Sequence, residues 1–179
     1  MPFLRWRERM LVIMDHNLLI LGAGQYRFVA AETARAMGCF GKIECLDDHH
    51  PDAIGKLSDY LKFRETYDTA FVAMGNPELR LTWLDNLEEA GYSLPVLIHP
   101  MAYVSPSATL MGGSIVEPMA VVQSNAVVKK GCLICAGSVV NHNAVVETGC
   151  QIDCGGIVMS NGTVPPKTRV PCGTVVQRN

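Results

Sequence analysis

The sequence predicts a chain in two parts: an α/β half up to residue 97, then an all-β parallel helix of triangular section from residue 98. Three columns of residues at a spacing of six carry the second half of that prediction. Fourteen aliphatic residues fall on one frame without a miss: Ile98, Val104, Leu110, Val116, Val122, Val128, Ile134, Val140, Val146, Ile152, Val158, Val164, Val170 and Val176. Even if one residue in three were Ile, Leu or Val, chance would give such a run roughly once in millions of tries, so this is an internal repeat. Two places before each, from Ala102 and Ala108 through Cys132 and Cys150 to Thr174, stands a small residue. Three places after, nine of thirteen positions are Asn or Gly, among them Gly113, Asn125, Gly137, Asn143 and Gly155. Small-x-aliphatic is the alternation of a short strand with two inward side chains. Asn and Gly tolerate positive φ, so the third column marks corners. Three strands and three corners close one coil, and coils stack about 4.8 Å apart.

The elements ahead of the repeat follow in order. Residues 1–16 place basic residues before the apolar MLVIM, a faint likeness to a signal peptide. The apolar run is too short and no small-residue cleavage site follows, so an upstream start or a short added helix is the expectation. Leu18 to Gly22 reads as a buried strand and Gln25 to Met37 as a helix. Lys42 to Leu46 is a second strand, closed by Asp47 and Asp48, and Thr69 to Met74 a third. Pro77 suits the first turn of a helix running to about Ala90, which Gly91 ends. Pro95 to Ile98 is a last strand that hands over to the repeat. Strands alternating with helices mean a small parallel sheet of Rossmann type over residues 17–97, followed by the β-helix over 98–179.

Composition removes several function classes. A net charge of -2 with 18% charged residues offers no basic patch for nucleic acid. No apolar run reaches the length of a membrane span. Seven cysteines without an extracellular spacing pattern point to reduced thiols in a cytoplasmic protein. Cys132 and Cys150 lie in the inward column as core filler. Cys154 and Cys172 stack one coil apart on a corner, and nothing completes a tetrahedral zinc set around them. No metal is expected. A zinc-dependent γ-class carbonic anhydrase shares this β-helix but needs three histidines, and the repeat offers only His99 and His142.

Candidate ligand residues gather where the strands of the α/β half end. Gly22, Gly24, Asp47, Asp48, Gly75 and Asn76 are candidate substrate contacts, since open α/β sheets bind ligands outside the carboxyl ends of their strands. A full dinucleotide fingerprint is missing, because its third glycine is Arg27. A nucleotide-linked small molecule therefore fits this half better than NAD or FAD.

Outward positions between the small and aliphatic columns say how the repeat assembles. At a period of eighteen, one face presents Val121, Val139, Ile157 and Val175; a second Ile115, Leu133, Gln151 and Arg169; a third Val127, Val145 and Thr163. A continuous apolar stripe is an interface signal, and closed cyclic symmetry is the usual way to bury it. A homotrimer with Val121, Val139 and Ile157 near its contact surface is the expectation. His142 falls on the rim of that face.

Five motifs in order resemble the PglD/NeuD family of sugar and sialic acid O- or N-acetyltransferases: LLILGAG, LDD at 46–48, VAMGNPELR at 72–80, GYSLPVLIHPMAYVSPSA at 91–108 and SVVNHNAV at 138–145. The resemblance spans residues 17 to about 160. It implies a left-handed hexapeptide-repeat β-helix, trimeric assembly, acetyl-CoA in the groove between neighbouring helices, and a nucleotide-linked sugar acceptor on the N-terminal half. It also implies that His142 is the general base for direct transfer, with Asn143 beside it, and Gln151, Gly155 and Gly156 are the candidate cofactor contacts. The chain departs from the family at Asn143, where an acid often stands, at Gln151, where relatives carry a second histidine, and at Gln25-Tyr26-Arg27, where the glycine loop would read GHG. It ends PCGTVVQRN, without the further coils and GxPAK-like ending that often help hold CoA. A catalytically weak or inactive relative acting as a binding or interaction module is the alternative, with a nucleotide-sensing module third.

Overall fold

The computed structural model of the chain describes residues 16–22 and 24–178. The expected N-terminal extension, His16 apart, lies outside the described residues, as do Ala23 and Asn179. In the first half, β1 (His16–Leu21), β2 (Phe40–Leu46) and β3 (Thr69–Val72) form a parallel sheet in the order β2-β1-β3. Leu18 to Leu21 are buried on both faces, as an uninterrupted apolar run in a parallel sheet requires. The sheet takes in His16, which the sequence reading assigned to the extension; its ring pairs with Asp68, just ahead of β3.

Helix α1 spans Tyr26–Met37 and α2 spans Pro77–Glu89. Each boundary has a local cause. Gly38 closes α1 in the left-handed region at φ 66°, and its N–H returns to the Arg35 carbonyl at 3.0 Å. Asn76 caps α2 by accepting the Leu79 N–H at 2.9 Å, with Pro77 in the first turn. A 3₁₀ helix at Leu57–Phe63 was not foreseen. Its Leu57, Tyr60 and Phe63 recur every third residue, the 3₁₀ period, and pack on the cluster of Leu19, Leu46 and Leu87.

The second half is a prism with three faces. Face 1 stacks Leu97–Ile98, Ile115–Val116, Leu133–Ile134, Gln151–Ile152 and Arg169–Val170. Face 2 stacks Tyr103–Val104, Val121–Val122, Val139–Val140, Ile157–Val158 and Val175–Val176. Face 3 stacks Thr109–Leu110, Val127–Val128, Val145–Val146 and Thr163–Val164. Every pairing is parallel and in register eighteen residues apart, as Val139↔Ile157 and Leu133↔Gln151 illustrate. The aliphatic and small columns together form one axial core, from Val104 through Cys132 and Cys150 to Val170. Full burial of each aliphatic side chain contributes about 1.5–3 kcal/mol relative to exposure, so the repeat holds itself together coil by coil.

Corner geometry matches the third column. All nine of its Asn and Gly residues have positive φ, and so do Met119 and Lys167 in the same column. Of these, Gly113, Gly131 and Gly149 have a second reason to lack a side chain. They share one corner, and a Cβ there would come within 2.6, 2.8 and 2.9 Å of Leu84 or Leu81 on α2. The α2 helix therefore lies directly on that corner.

Face 1 is where the two halves meet, which changes the reading of the outward residues. Ile115 and Leu133 are completely buried, together with Leu97, beneath Ala30 and Ala34 of α1 and Ile20 and Phe71 of the sheet. They do not form an outer surface; they are the floor on which the α/β half sits. Gln151 and Arg169 lie beyond that floor, so polarity resumes where cover ends. Face 2 has no such cover among the described residues: Tyr103 is 55% and Val175 44% exposed at its two ends, with Val121, Val139 and Ile157 half-buried between them.

Candidate active site

The expected substrate residues do converge at the carboxyl end of the small sheet. Gly22 is in the left-handed region at φ 95°, its N–H bonded to the Leu46 carbonyl at 2.9 Å. A Cβ there would stand 3.2 Å from the Ala73 carbonyl, so glycine serves both the turn and the crossing of strand ends. Gly24 has open space where a Cβ would be. The first turn of α1 has no acidic residue and Gln25 makes no side-chain cap, which leaves a helix N-terminus of positive partial charge facing that space.

The other four are partly committed to local structure. Asp47 accepts the N–H groups of His49 and His50 at 2.9 and 3.1 Å, and Asp48 accepts that of Leu57 at 3.1 Å. Both carboxylates thus organise the loop after β2. Asn76 is the α2 cap, and the Gly75 carbonyl accepts Nη1 of Arg80 at 3.0 Å. Arg27, in place of a third fingerprint glycine, bonds Asp52 at 3.0 Å and ties α1 to the same loop.

Tyr26, which stands out in the sequence only as a departure from a glycine loop, links this end of the sheet to the prism. Its Oη donates to Glu117 Oε1 at 2.6 Å, while Glu117 Oε2 accepts the Ala136 N–H at 3.0 Å. Burial, with the Glu117 carboxylate close by, holds the Tyr26 phenol well above its usual range. Glu117 begins the corner between faces 1 and 2, so the Gly22–Gln25 turn is anchored beside that corner. No periodic signal marks such a contact.

His142 lies on the corner between faces 2 and 3. It is exposed, and its Nδ1 is 3.1 Å from Asn143 Nδ2. Asn143 has φ 57° and stacks with Asn125 and Asn161 at φ 56° and 60°, so the turn alone accounts for an asparagine. Three nearby amides are already engaged: His142 N–H with Asn141 Oδ1 at 2.9 Å, Asn143 N–H with the Ser124 carbonyl at 3.0 Å, and Asn161 N–H with the His142 carbonyl at 3.1 Å. One coil above, Ser160 accepts Nη2 of Arg178 at 2.6 Å, which brings a cation to this corner that sequence reasoning had not noted.

Gln151, Gly155 and Gly156 are not at the His142 corner. Gln151 donates to Asp153 at 2.6 Å on face 1, and Gly155, at φ 68°, turns the chain between faces 1 and 2. Within one chain, the His142–Asn143 pair therefore stands on a different corner from Gly155 and Gly156, and apart from Gln151 on face 1 and the candidates at the sheet's carboxyl end. The two corners are the opposite edges of the same apolar face. His99 bonds the Met101 N–H at 3.1 Å and His50 that of Asp52 at 3.2 Å, so both have local roles. Among the described residues no group of three or more His, Cys, Asp or Glu is arranged to hold a metal, and no helix is long and apolar enough to cross a membrane.

This architecture has known counterparts. The acetyltransferase domain of PglB from Neisseria gonorrhoeae FA1090, in complex with acetyl coenzyme A, superposes with a TM-score of 0.88 at 32% identity, over 92% of this chain and 83% of that one. The chain belongs to the PglD/NeuD-like family of sugar acetyltransferases. The PglD N-terminal domain family matches residues 17–87. A histidine-to-asparagine mutant of perosamine N-acetyltransferase from Caulobacter crescentus, in complex with CoA and GDP-perosamine, has a TM-score of 0.70 at 25% identity, over 91% of this chain and 89% of that one. PerB from the same organism shares the fold, with a TM-score of 0.68 at 22% identity over 90% of this chain and 91% of that one. No curated protein matches the sequence significantly. As a PglD/NeuD-like acyltransferase the protein has the left-handed parallel β-helix of that family, and the α/β half is the family's N-terminal domain.

Proposed function

We propose that the protein transfers the acetyl group of acetyl-CoA to an amino or hydroxyl group of a nucleotide-linked sugar or sialic acid, with His142 as general base. The observation that carries this reading is the His142–Asn143 pair, exposed on a β-helix corner at the rim of the half-buried apolar face 2. It is supported by relatives crystallised with acetyl coenzyme A, and with CoA and GDP-perosamine. The acceptor nucleophile attacks the thioester carbonyl while the neutral imidazole takes its proton, and no covalent intermediate is needed. For Nε2 to accept that proton, Nδ1 must carry the ring hydrogen and donate it. Asn143 meets this requirement with its amide turned so that Oδ1 faces Nδ1, since an asparagine amide offers a donor at one end and an acceptor at the other. An oxyanion donor has to come from outside the three engaged amides, from another coil or another copy.

A shared site follows from the corners. Cyclic contact through face 2 sets one edge of a protomer against the opposite edge of the next. The His142 corner of one copy then faces the neighbour's Glu117 corner, beside which lie its Gly22–Gln25 turn and, further along the axis, Gly155 and Gly156. A homotrimer through Val121, Val139 and Ile157 makes the site complete in a way that one chain does not. Light scattering tests this: the wild type is expected at three times the chain mass, and Val139→Asp, which puts a charge on the stripe, at one. A monomeric wild type, or a mutant trimer as stable as the wild type, would refute it.

The acceptor half of the reading has its own experiment. The α1 N-terminus and the open space at Gly24 suit a diphosphate, with Asp47 and Asp48 at the neighbouring strand end. UDP, GDP or the corresponding sugar nucleotides are expected to raise the melting temperature, with a smaller shift in Asp47→Ala. If no nucleotide moves the transition, the N-terminal domain is structural only.

A further inference from the structure

Two exposed thiols stand in register on one corner, and nothing in acetyl transfer uses them. Cys154 and Cys172 are both exposed, whereas Cys39, Cys45, Cys132, Cys135 and Cys150 are buried. The strands on either side fix their alignment, with Gln151 paired to Arg169 and Ile157 to Val175, so Cys172 lies directly over Cys154 one coil up. The N–H of Gly173 bonds the Cys154 carbonyl at 3.1 Å, which confirms the vertical stacking at that point. One strand spacing, about 4.8 Å, falls inside the roughly 4.4–6.8 Å between Cα atoms that a disulfide spans, and the corner has to bring the Cβ atoms a few tenths of an ångström closer, to about 4.5 Å or less, for the bond to close.

We propose that Cys154 and Cys172 are a redox site, a dithiol that closes to a disulfide and staples the last coil to the coil beneath. The oxidant class is a low-molecular-weight disulfide such as oxidised glutathione. The Cys172 thiolate attacks one sulfur of that disulfide, forming a mixed disulfide and releasing one thiolate. The Cys154 thiolate then attacks the Cys172 sulfur, the intercoil S–S bond forms, and the second small thiolate leaves. Two protein thiols are oxidised, one external disulfide is reduced to two thiols, and the two protons end on the leaving thiolates. Arg169 beside this corner is 71% exposed but is paired with Asp153 at 2.7 Å, so the approach of the disulfide rests on the exposure of the two thiols and not on a free cation. The inward pair Cys132 and Cys150 is stacked in the same way but takes no part. The hydrogen bond to Cys150 and burial push the Cys132 thiol far above its ordinary range, and no oxidant reaches the axial core.

Oxidation fixes the corner that carries Gly155 and Gly156, and it does so whether or not these residues contact CoA. The experiment is a titration of the full chain with oxidised glutathione under native conditions. Free thiols counted after unfolding should fall by two from seven, and a tryptic map should join peptide 131–167 to peptide 170–178 within one chain. The melting temperature should rise on oxidation and return on reduction. Cys154→Ser should stop at one glutathione on Cys172, with no cross-link and no rise. Unreacted thiols, stable glutathione on both cysteines, a cross-link between chains, or a cross-link surviving in Cys154→Ser would each overturn the proposal.

Discussion

Replacement of His142 by Ala is expected to lower kcat for acetyl transfer by about 10²–10⁴-fold while leaving acetyl-CoA affinity within about a factor of two. The imidazole is exposed and its ring bonds Asn143, so its removal takes no side chain out of the axial core. Equal melting temperatures for wild type and variant would make the rate loss chemical rather than structural. Steady-state kinetics with acetyl-CoA and an amino-sugar nucleotide, paired with calorimetry for the cofactor, separate the two quantities. An unchanged kcat would remove His142 from the mechanism. Asn143→Asp sharpens the same test. Aspartate tolerates the left-handed corner and offers only acceptors to Nδ1, with a charge to stabilise the imidazolium. It is expected to match or exceed the wild-type rate if the asparagine acts by orienting the ring.

The largest stability effect is expected at Arg80. This guanidinium is completely buried, and its bonds all go to carbonyl oxygens: Met74 at 2.6 Å, Gly75 at 3.0 Å, Gly131 at 2.9 Å and Gly149 at 2.7 Å. Burial pulls its pKa below the ordinary arginine value. The side chain joins the end of β3 to two successive coils of the prism, through the same glycine corner on which Leu81 and Leu84 rest. Arg80→Met fills much of the space but strips donors from four carbonyls, the two on the prism buried and the two after β3 part-buried. At about 1–3 kcal/mol for each acceptor left without a partner, and with some repacking, a loss of roughly 3 kcal/mol or more follows. For a chain of this size that is a fall of about 6–12 °C in Tm. A thermal melt reads it directly, and a shift under about 2 °C would show that the interdomain contact stands without the arginine. Lysine should not rescue, because a single ammonium cannot span carbonyls on two coils.

Arg80 also shows where sequence reading stops. It closes the VAMGNPELR motif, yet nothing in that string says that a charged residue is interior. Its partners, Gly131 and Gly149, lie more than fifty residues away and were legible only as corners. Tyr26 and Glu117 present the same case, since neither belongs to a period and their bond bridges the two halves. The substrate candidates were easier. Gly22, Asp47 and Asn76 follow strands, and strand ends of one parallel sheet must lie together. What the pattern could not say is that Asp47, Asp48 and Asn76 also hold the backbone around them.

The sequence by itself determined the prism: strand positions, register, inward columns, corners and the one continuous apolar stripe. It could do so because each coil contacts only its neighbours, so the whole half is a local rule repeated at six residues. Only the tertiary structure decided what covers which face. Ile115 and Leu133 looked as outward-facing as Val121 and Val139, and burial of the first pair depends on Ala30 and Ala34, distant residues with no periodic tie to the repeat. That docking leaves face 2 without cover from the described α/β residues and sets His142 at its far edge from the carboxyl end of the small sheet. Local periodicity specifies a surface, but its occupant is chosen by non-local packing free energy, which no short-range pattern encodes.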